Sequence, residues 1–222
     1  MVESFLKSKK HVFWEAFLVT IVVFFLGLLI GFALESSRVD EIENYYSESE
    51  ISLMDMLAFN NLLDNQINCG DLIKANIDFA DKIYLEAQVL EDYEDSGKLS
   101  ESIKISHRKY DLLRTFLWIN SIKSLEKCQN NVDVVVYLYE YDTQDLTKIA
   151  EQKVWSKVLG DLKSERGDKL ILIPIAINTD IITLETMVAD FGVLKFPLVI
   201  INNNDFIDDI SSVEDLEGYL VK

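Results

Sequence analysis

Cations, cysteines and histidines are all scarce in this chain. Its 222 residues hold 21 Lys and Arg against 38 Asp and Glu, a formal net charge of -17. That balance excludes nucleic acid as a partner, since its phosphates would be repelled. It also disfavours adhesion to an anionic lipid surface, and reads as solubility through self-repulsion. Histidine occurs only at His11 and His107, and cysteine only at Cys69 and Cys128. A zinc site needs about four ligands drawn largely from these two types, so none is expected. The chain also lacks a Gly-rich phosphate loop, a Gly-x-Ser-x-Gly elbow and a His-Glu-x-x-His pair, so neither those chemistries nor a cofactor is expected. Carboxylates gather at Asp205, Asp208, Asp209, Glu214 and Asp215. They read as a solvated face, with calcium as the alternative because clustered oxygens suit it; their spacing matches no EF-hand loop.

What the chain does have is one long apolar run. Residues 16–34 read AFLVTIVVFFLGLLIGFAL without a charge. Crossing a hydrocarbon core of about 30 Å takes roughly 20 helical residues, and core helices of soluble proteins seldom stay apolar on every face for so long. A cleaved signal peptide would have a shorter apolar region and a small-x-small cleavage site, whereas Leu34-Glu35-Ser36-Ser37 follows here. A retained transmembrane helix is expected over residues 12–35. Lys7, Lys9 and Lys10 precede it, while Glu35, Asp40, Glu41 and Glu43 dominate the other flank. The positive-inside rule puts residues 1–11 in the cytoplasm and the rest outside a cell membrane crossed once. Gly27 and Gly31 form a Gly-x-x-x-Gly pair, a pattern that lets helix backbones approach, so a homodimer through the span is one expected partner.

Residues 36–128 read as an exterior helical bundle or stalk. Apolar residues recur every three to four positions from Ile42 to Leu63, from Leu72 to Leu90, and from Leu99 to Leu125. Asn68-Cys69-Gly70-Asp71 breaks the first helix, which continues the span, and Asp71 is the expected N-cap of the second. The second and third helices read as antiparallel neighbours. Cys69 precedes one and Cys128 follows the other, so both fall at the same end of the hairpin. A disulfide is sterically reasonable there. Two unpaired thiols packed as small hydrophobes remain the alternative.

From residue 132 the period changes. Val132-Asp133-Val134-Val135-Val136-Tyr137-Leu138-Tyr139 is a β-branched and aromatic run of the kind buried on both faces. A helix over about 143–164, a buried strand over 169–178 and a shorter helix over 182–191 follow. A third strand at 198–201 turns through Asn202-Asn203-Asn204-Asp205 into a fourth near 206–210. A last helix over 212–220 opens with capping-box character at Ser211, Ser212, Glu214 and Asp215. The order is β-α-β-α-β-β-α. Its βαβ unit implies parallel strands, and its Asn-rich turn implies an antiparallel hairpin.

This order, with the passage Phe191-Gly192-Val193-Leu194-Lys195-Phe196-Pro197-Leu198-Val199-Ile200, resembles the thioredoxin-like superfamily over residues 129–222. The resemblance implies an α/β fold in which the Phe196–Pro197 bond is cis and Pro197 faces the functional site. Redox-active members carry Cys-x-x-Cys where the first strand hands over to the first helix. Here that stretch reads Tyr141-Asp142-Thr143-Gln144-Asp145-Leu146-Thr147-Lys148-Ile149. Aligning Gln152 with the glutamine of a Cys-x-x-Cys-x-x-Gln relative puts Leu146 and Ile149 at the two thiol positions, and neither can form a nucleophilic thiolate. The resemblance therefore implies a membrane-anchored, non-catalytic module that binds a protein or peptide partner beside Phe196 and Pro197, without enzymatic activity. The alternative is an accessory subunit or redox protein, tied to disulfide formation or a membrane glycosyltransferase, that uses Cys69 and Cys128.

Overall fold

The computed structural model describes residues 9–62, 68–95, 101–128, 132–192 and 195–221. It divides into two compact units, residues 1–43 and 44–222. Helix α1 spans Lys9–Leu62. Within it, Val12–Leu34 is a stretch of 23 residues long and apolar enough to cross a membrane, with none of it buried. The one hydroxyl in that stretch, Thr20, donates back to the carbonyl of Ala16 at 2.9 Å. It thereby finds a partner inside its own helix. Gly27 and Gly31 lie one turn apart with open space where a Cβ would stand.

The second unit is a mixed α/β structure. Helices α2 (Cys69–Asp95) and α3 (Glu101–Lys127) precede β1 (Asp133–Tyr139). Then come α4 (Leu146–Arg166), a 3₁₀ turn at Gly167–Lys169 and β2 (Leu170–Ala176). The chain closes with α5 (Ile182–Asp190), β3 (Leu198–Ile201), β4 (Asp205–Ile207) and α6 (Glu214–Glu217). The four strands form one sheet in the order β2-β1-β3-β4. β1 and β2 are parallel, while β1–β3 and β3–β4 are antiparallel. In the turn that joins β3 to β4, Asn202 and Asn203 both take positive φ, 50° and 60°. Asparagine tolerates that left-handed region better than most residues.

The strands are apolar on both faces because both faces are covered. On one face, Val135, Tyr137, Val199 and Ile201 pack with Trp155, Leu159 and Leu162 of α4 and Leu216 of α6. On the pleat's other face, Val136, Leu138, Ile173 and Ile200 are equally buried. There α3 packs across β2, with α2 against both and α5 beside α3. Trp118 of α3 is fully buried and stacks on Phe191, which in turn meets Phe206 of β4.

The helix starts differ from their expected places for local reasons. Asn68, not Asp71, caps α2: its Oδ1 accepts from the backbone N–H of Gly70 at 3.0 Å, and its carbonyl accepts from Asp71 and Leu72. Asp71 falls in the first turn, where its charge favours the helix N-terminus. Helix α4 begins at Leu146 because Asp145 takes the capping role, accepting from Thr147 and Lys148. Cys69 and Cys128 form a disulfide, their Cα atoms 5.7 Å apart, within the usual span of such bridges.

Candidate functional site

Strand direction gathers several groups at one end of the sheet. β1 and β2 run parallel and finish together at Tyr139 and Ala176, which are paired residues. β3 runs the other way and opens with Leu198 opposite Leu138. Pro197 precedes Leu198, is buried, and follows Phe196 through a cis bond. It therefore lies at the end where loop 140–145 leads into α4 and loop 177–181 leads into α5. This is the carboxyl end of the parallel strands, where open α/β sheets characteristically hold ligands.

The two loops are tied to each other. Tyr141 donates its backbone N–H to Asn178 Oδ1 at 2.8 Å, and Asn178 Nδ2 returns a bond to the Tyr141 carbonyl at 2.8 Å. Asp142 and Asp180 both hold left-handed backbone, φ 49° and 55°, which costs non-glycine residues energy and concentrates at functional loops. Two cations one turn apart on α3 reach over: Lys104 pairs with Asp142 at 3.8 Å, and Arg108 donates to the Asp180 carbonyl.

Leu146 and Ile149, the expected degenerate positions, sit on the first turn of α4. Leu146 is 80% exposed and Ile149 is half-buried. The N–H groups that would stabilise a thiolate at this helix start are already engaged by Asp145. Gln152 is part of the scaffold: its Oε1 accepts from Glu140 N–H at 2.9 Å and its Nε2 donates to the Glu140 carbonyl at 3.1 Å. That pair of hydrogen bonds fastens α4 to the end of β1. Lys148 pairs with Glu140, and this hydrogen bond raises its pKa. On α5, Ile182 is 79% exposed and opens a helix with no side-chain cap. Thus the sheet end presents two exposed aliphatic side chains, one on each helix start. The disulfide is elsewhere, since Cys128 precedes β1 and so belongs to the opposite end.

Two acidic residues of the C-terminal segment, Asp208 and Asp215, have structural partners. Asp215 Oδ2 accepts from Ser211 N–H, Ser211 Oγ and Ser212 N–H, each at 2.9 Å, and these bonds lower its pKa. Asp208 pairs with Lys195 at 3.4 Å. Among the described residues, no three His, Cys, Asp or Glu side chains converge as a metal site would require.

A polar cluster on α3 escaped the sequence reading. His107, Asp111 and Arg114 are all buried, and their i, i+4, i+7 spacing makes them one stripe. His107 Nε2 lies 3.3 Å from Asp111 Oδ2 and 3.2 Å from the Tyr139 hydroxyl, while Tyr141 stacks on the imidazole at 3.8 Å. Arg114 Nη1 donates to Asp111 Oδ1 at 3.3 Å, and the same oxygen accepts from the N–H of Ala176 at 3.2 Å. Burial raises the pKa of Asp111, against the opposing pull of His107 and Arg114. The bond to Ala176 explains why a carboxylate is buried here. β2 is an edge strand, and the residues two apart, Ala176 and Pro174, turn the same side outward. Proline has no N–H to leave open, and Asp111 occupies the other.

This cluster backs a cleft of about 470 Å³ between α2, α4 and the β1–β2 strands. Tyr84, Tyr137, Tyr139, Tyr141, His107 and Arg114 line it, with Leu172 and Pro174 as an apolar floor. Gly160 of α4 also faces it, and a Cβ there would meet no atom within 4 Å. A helix-interior glycine costs about 1 kcal/mol relative to alanine, and protein packing here does not demand it. Tyr141 is shared with a shallower recess at the sheet end, which Lys104, Arg108 and Asp180 also line.

Comparison with protein-family models, with curated proteins and with solved structures finds no match to the chain.

Proposed function

We propose that this chain is a membrane-anchored, non-catalytic module with a thioredoxin-like domain outside the cytoplasm, and that it holds an extended segment of a partner protein at the carboxyl end of β1 and β2. The observation that carries this reading is the pair Leu146 and Ile182, 80% and 79% exposed, on helix starts at the same sheet end as Pro197. Isolated exposed aliphatics need no explanation, but two of them on helix starts at one sheet end fit contact with a partner. The β-α-β-α-β-β-α order, the parallel first pair, the antiparallel hairpin and the cis bond before β3 agree with the resemblance in the sequence. The thiols are absent from this end and joined at the other, which favours binding over disulfide exchange. In the span, Gly27 and Gly31 supply the notch at which a second copy would pack.

Full-length protein in detergent micelles, titrated with a panel of extended apolar peptides, tests the docking role. Leu146→Asp and Ile182→Asp should each weaken peptide binding about tenfold without lowering the melting temperature. Undiminished binding by the double variant would end this reading. Insulin reductase activity that disappears in Cys69→Ser would instead establish the redox alternative, in which Cys69 and Cys128 serve disulfide formation or a membrane glycosyltransferase complex.

A further inference from the structure

The cleft at the β2 edge is a separate recess that the docking role does not use. We propose that it binds a small planar aromatic acid, a molecule of one ring or two fused rings carrying a single carboxylate. Its volume of about 470 Å³ falls within the range of small-molecule sites, which join an apolar lining to a few placed polar groups. Four tyrosines supply the lining, and flat aromatic walls favour a flat occupant.

The charge of the occupant follows from Arg114. It is 8% exposed, and its ion pair with Asp111 is a single 3.3 Å contact through Nη1. The guanidinium has five donors in a planar fork suited to a carboxylate, and Arg114 is among the residues that line the cleft. Lys157 and His107 also line the cleft, and no Asp or Glu does among the described residues. In a chain of net charge -17, the charged side chains that line the cleft among the described residues, Arg114 and Lys157, are both cationic. Gly160 adds an independent observation. Glycine is the least favoured residue of a helix interior after proline, and the space its missing side chain leaves belongs to the cleft. An occupant lying against the α4 backbone would use that space.

The test uses the full chain in nanodiscs of zwitterionic lipid and two fluorine NMR probes, para-fluorobenzoate and para-fluorobenzyl alcohol. The wild type should broaden the benzoate resonance and bind the alcohol about tenfold more weakly, the loss expected for one charge-assisted hydrogen bond. Gly160→Leu, which projects a side chain into the cleft from a position where a Cβ meets no atom within 4 Å, should abolish benzoate broadening with no fall in melting temperature. Arg114→Gln should remove the preference for the acid; if that variant does not fold, Gly160→Leu and the acid–alcohol comparison still decide. Absence of broadening, broadening that persists in Gly160→Leu, or equal binding of acid and alcohol by the wild type would each overturn the proposal.

Discussion

Asp111 serves three neighbours with two oxygens, and its surroundings make its charge depend on pH. One oxygen holds both the Ala176 N–H of the sheet edge and Arg114; the other faces His107. Burial raises its folded-state pKa above the ordinary 3.8. A raised carboxylate contributes stability that is complete below the unfolded-state pKa and is lost as pH rises through the folded-state value. Asp111→Asn keeps an acceptor for Ala176 but removes the titration. The melting temperature of the wild type relative to this variant should therefore decline as pH is raised from about 4. Thermal melts across that range check it, and a wild type that gains on the variant as pH rises would contradict the assignment. None of this was visible in the sequence at the level of single residues. The apolar stripe of α3 is plain in its sequence, while nothing local assigns a place to the polar positions between. His107, Asp111 and Arg114 share a spacing that could have flagged them, but only knowledge that α3 lies between α2 and β2 turns a polar stripe into a buried one.

Elements were more legible than side chains, because period and composition act locally. The run Val134-Val135-Val136 marked β1, and Leu198–Ile201 was bounded as it is found. Boundaries moved where two capping residues competed. Asn68 stands three residues before Asp71 and wins because its Oδ1 reaches Gly70 N–H at the helix start. Asn68→Ala should thus destabilise the second unit by about 1 kcal/mol, measurable by denaturant unfolding, whereas Asp71→Ala should cost less. The order of strands could not be read locally. Pro174 within an otherwise apolar strand was the one hint that β2 is an edge, since proline removes a ladder hydrogen bond. The α6 helix is only Glu214–Glu217, shorter than the 212–220 its capping pattern implied.

At the scale of the whole molecule, the proposed orientation makes a direct prediction. A membrane-impermeant thiol reagent should label Ser211→Cys in intact cells and leave Ser4→Cys unlabelled; labelling of Ser4→Cys alone would reverse the topology drawn from the lysines before the span. The bridge between Cys69 and Cys128 closes a loop with a sequence separation of 59. On the chain-entropy account, Cys128→Ser should cost about 4 kcal/mol, seen as an earlier unfolding transition under non-reducing conditions.

That bridge also decides which parts of the chain carry tension. Any pull between the apolar N-terminal helix and the sheet must pass through residue 68 and leave through residue 132. With the bond intact, the covalent path jumps from Cys69 to Cys128 and bypasses α2 and α3 altogether. The hairpin that bears the Arg114 cleft is then a slack branch, sheltered from load even while the strands beyond it are strained. Cutting the bond places the hairpin in series, and the fully stretched tether lengthens by roughly 200 Å, at about 3.4 Å for each released residue. Optical-tweezers traces recorded with and without reductant should differ by that length.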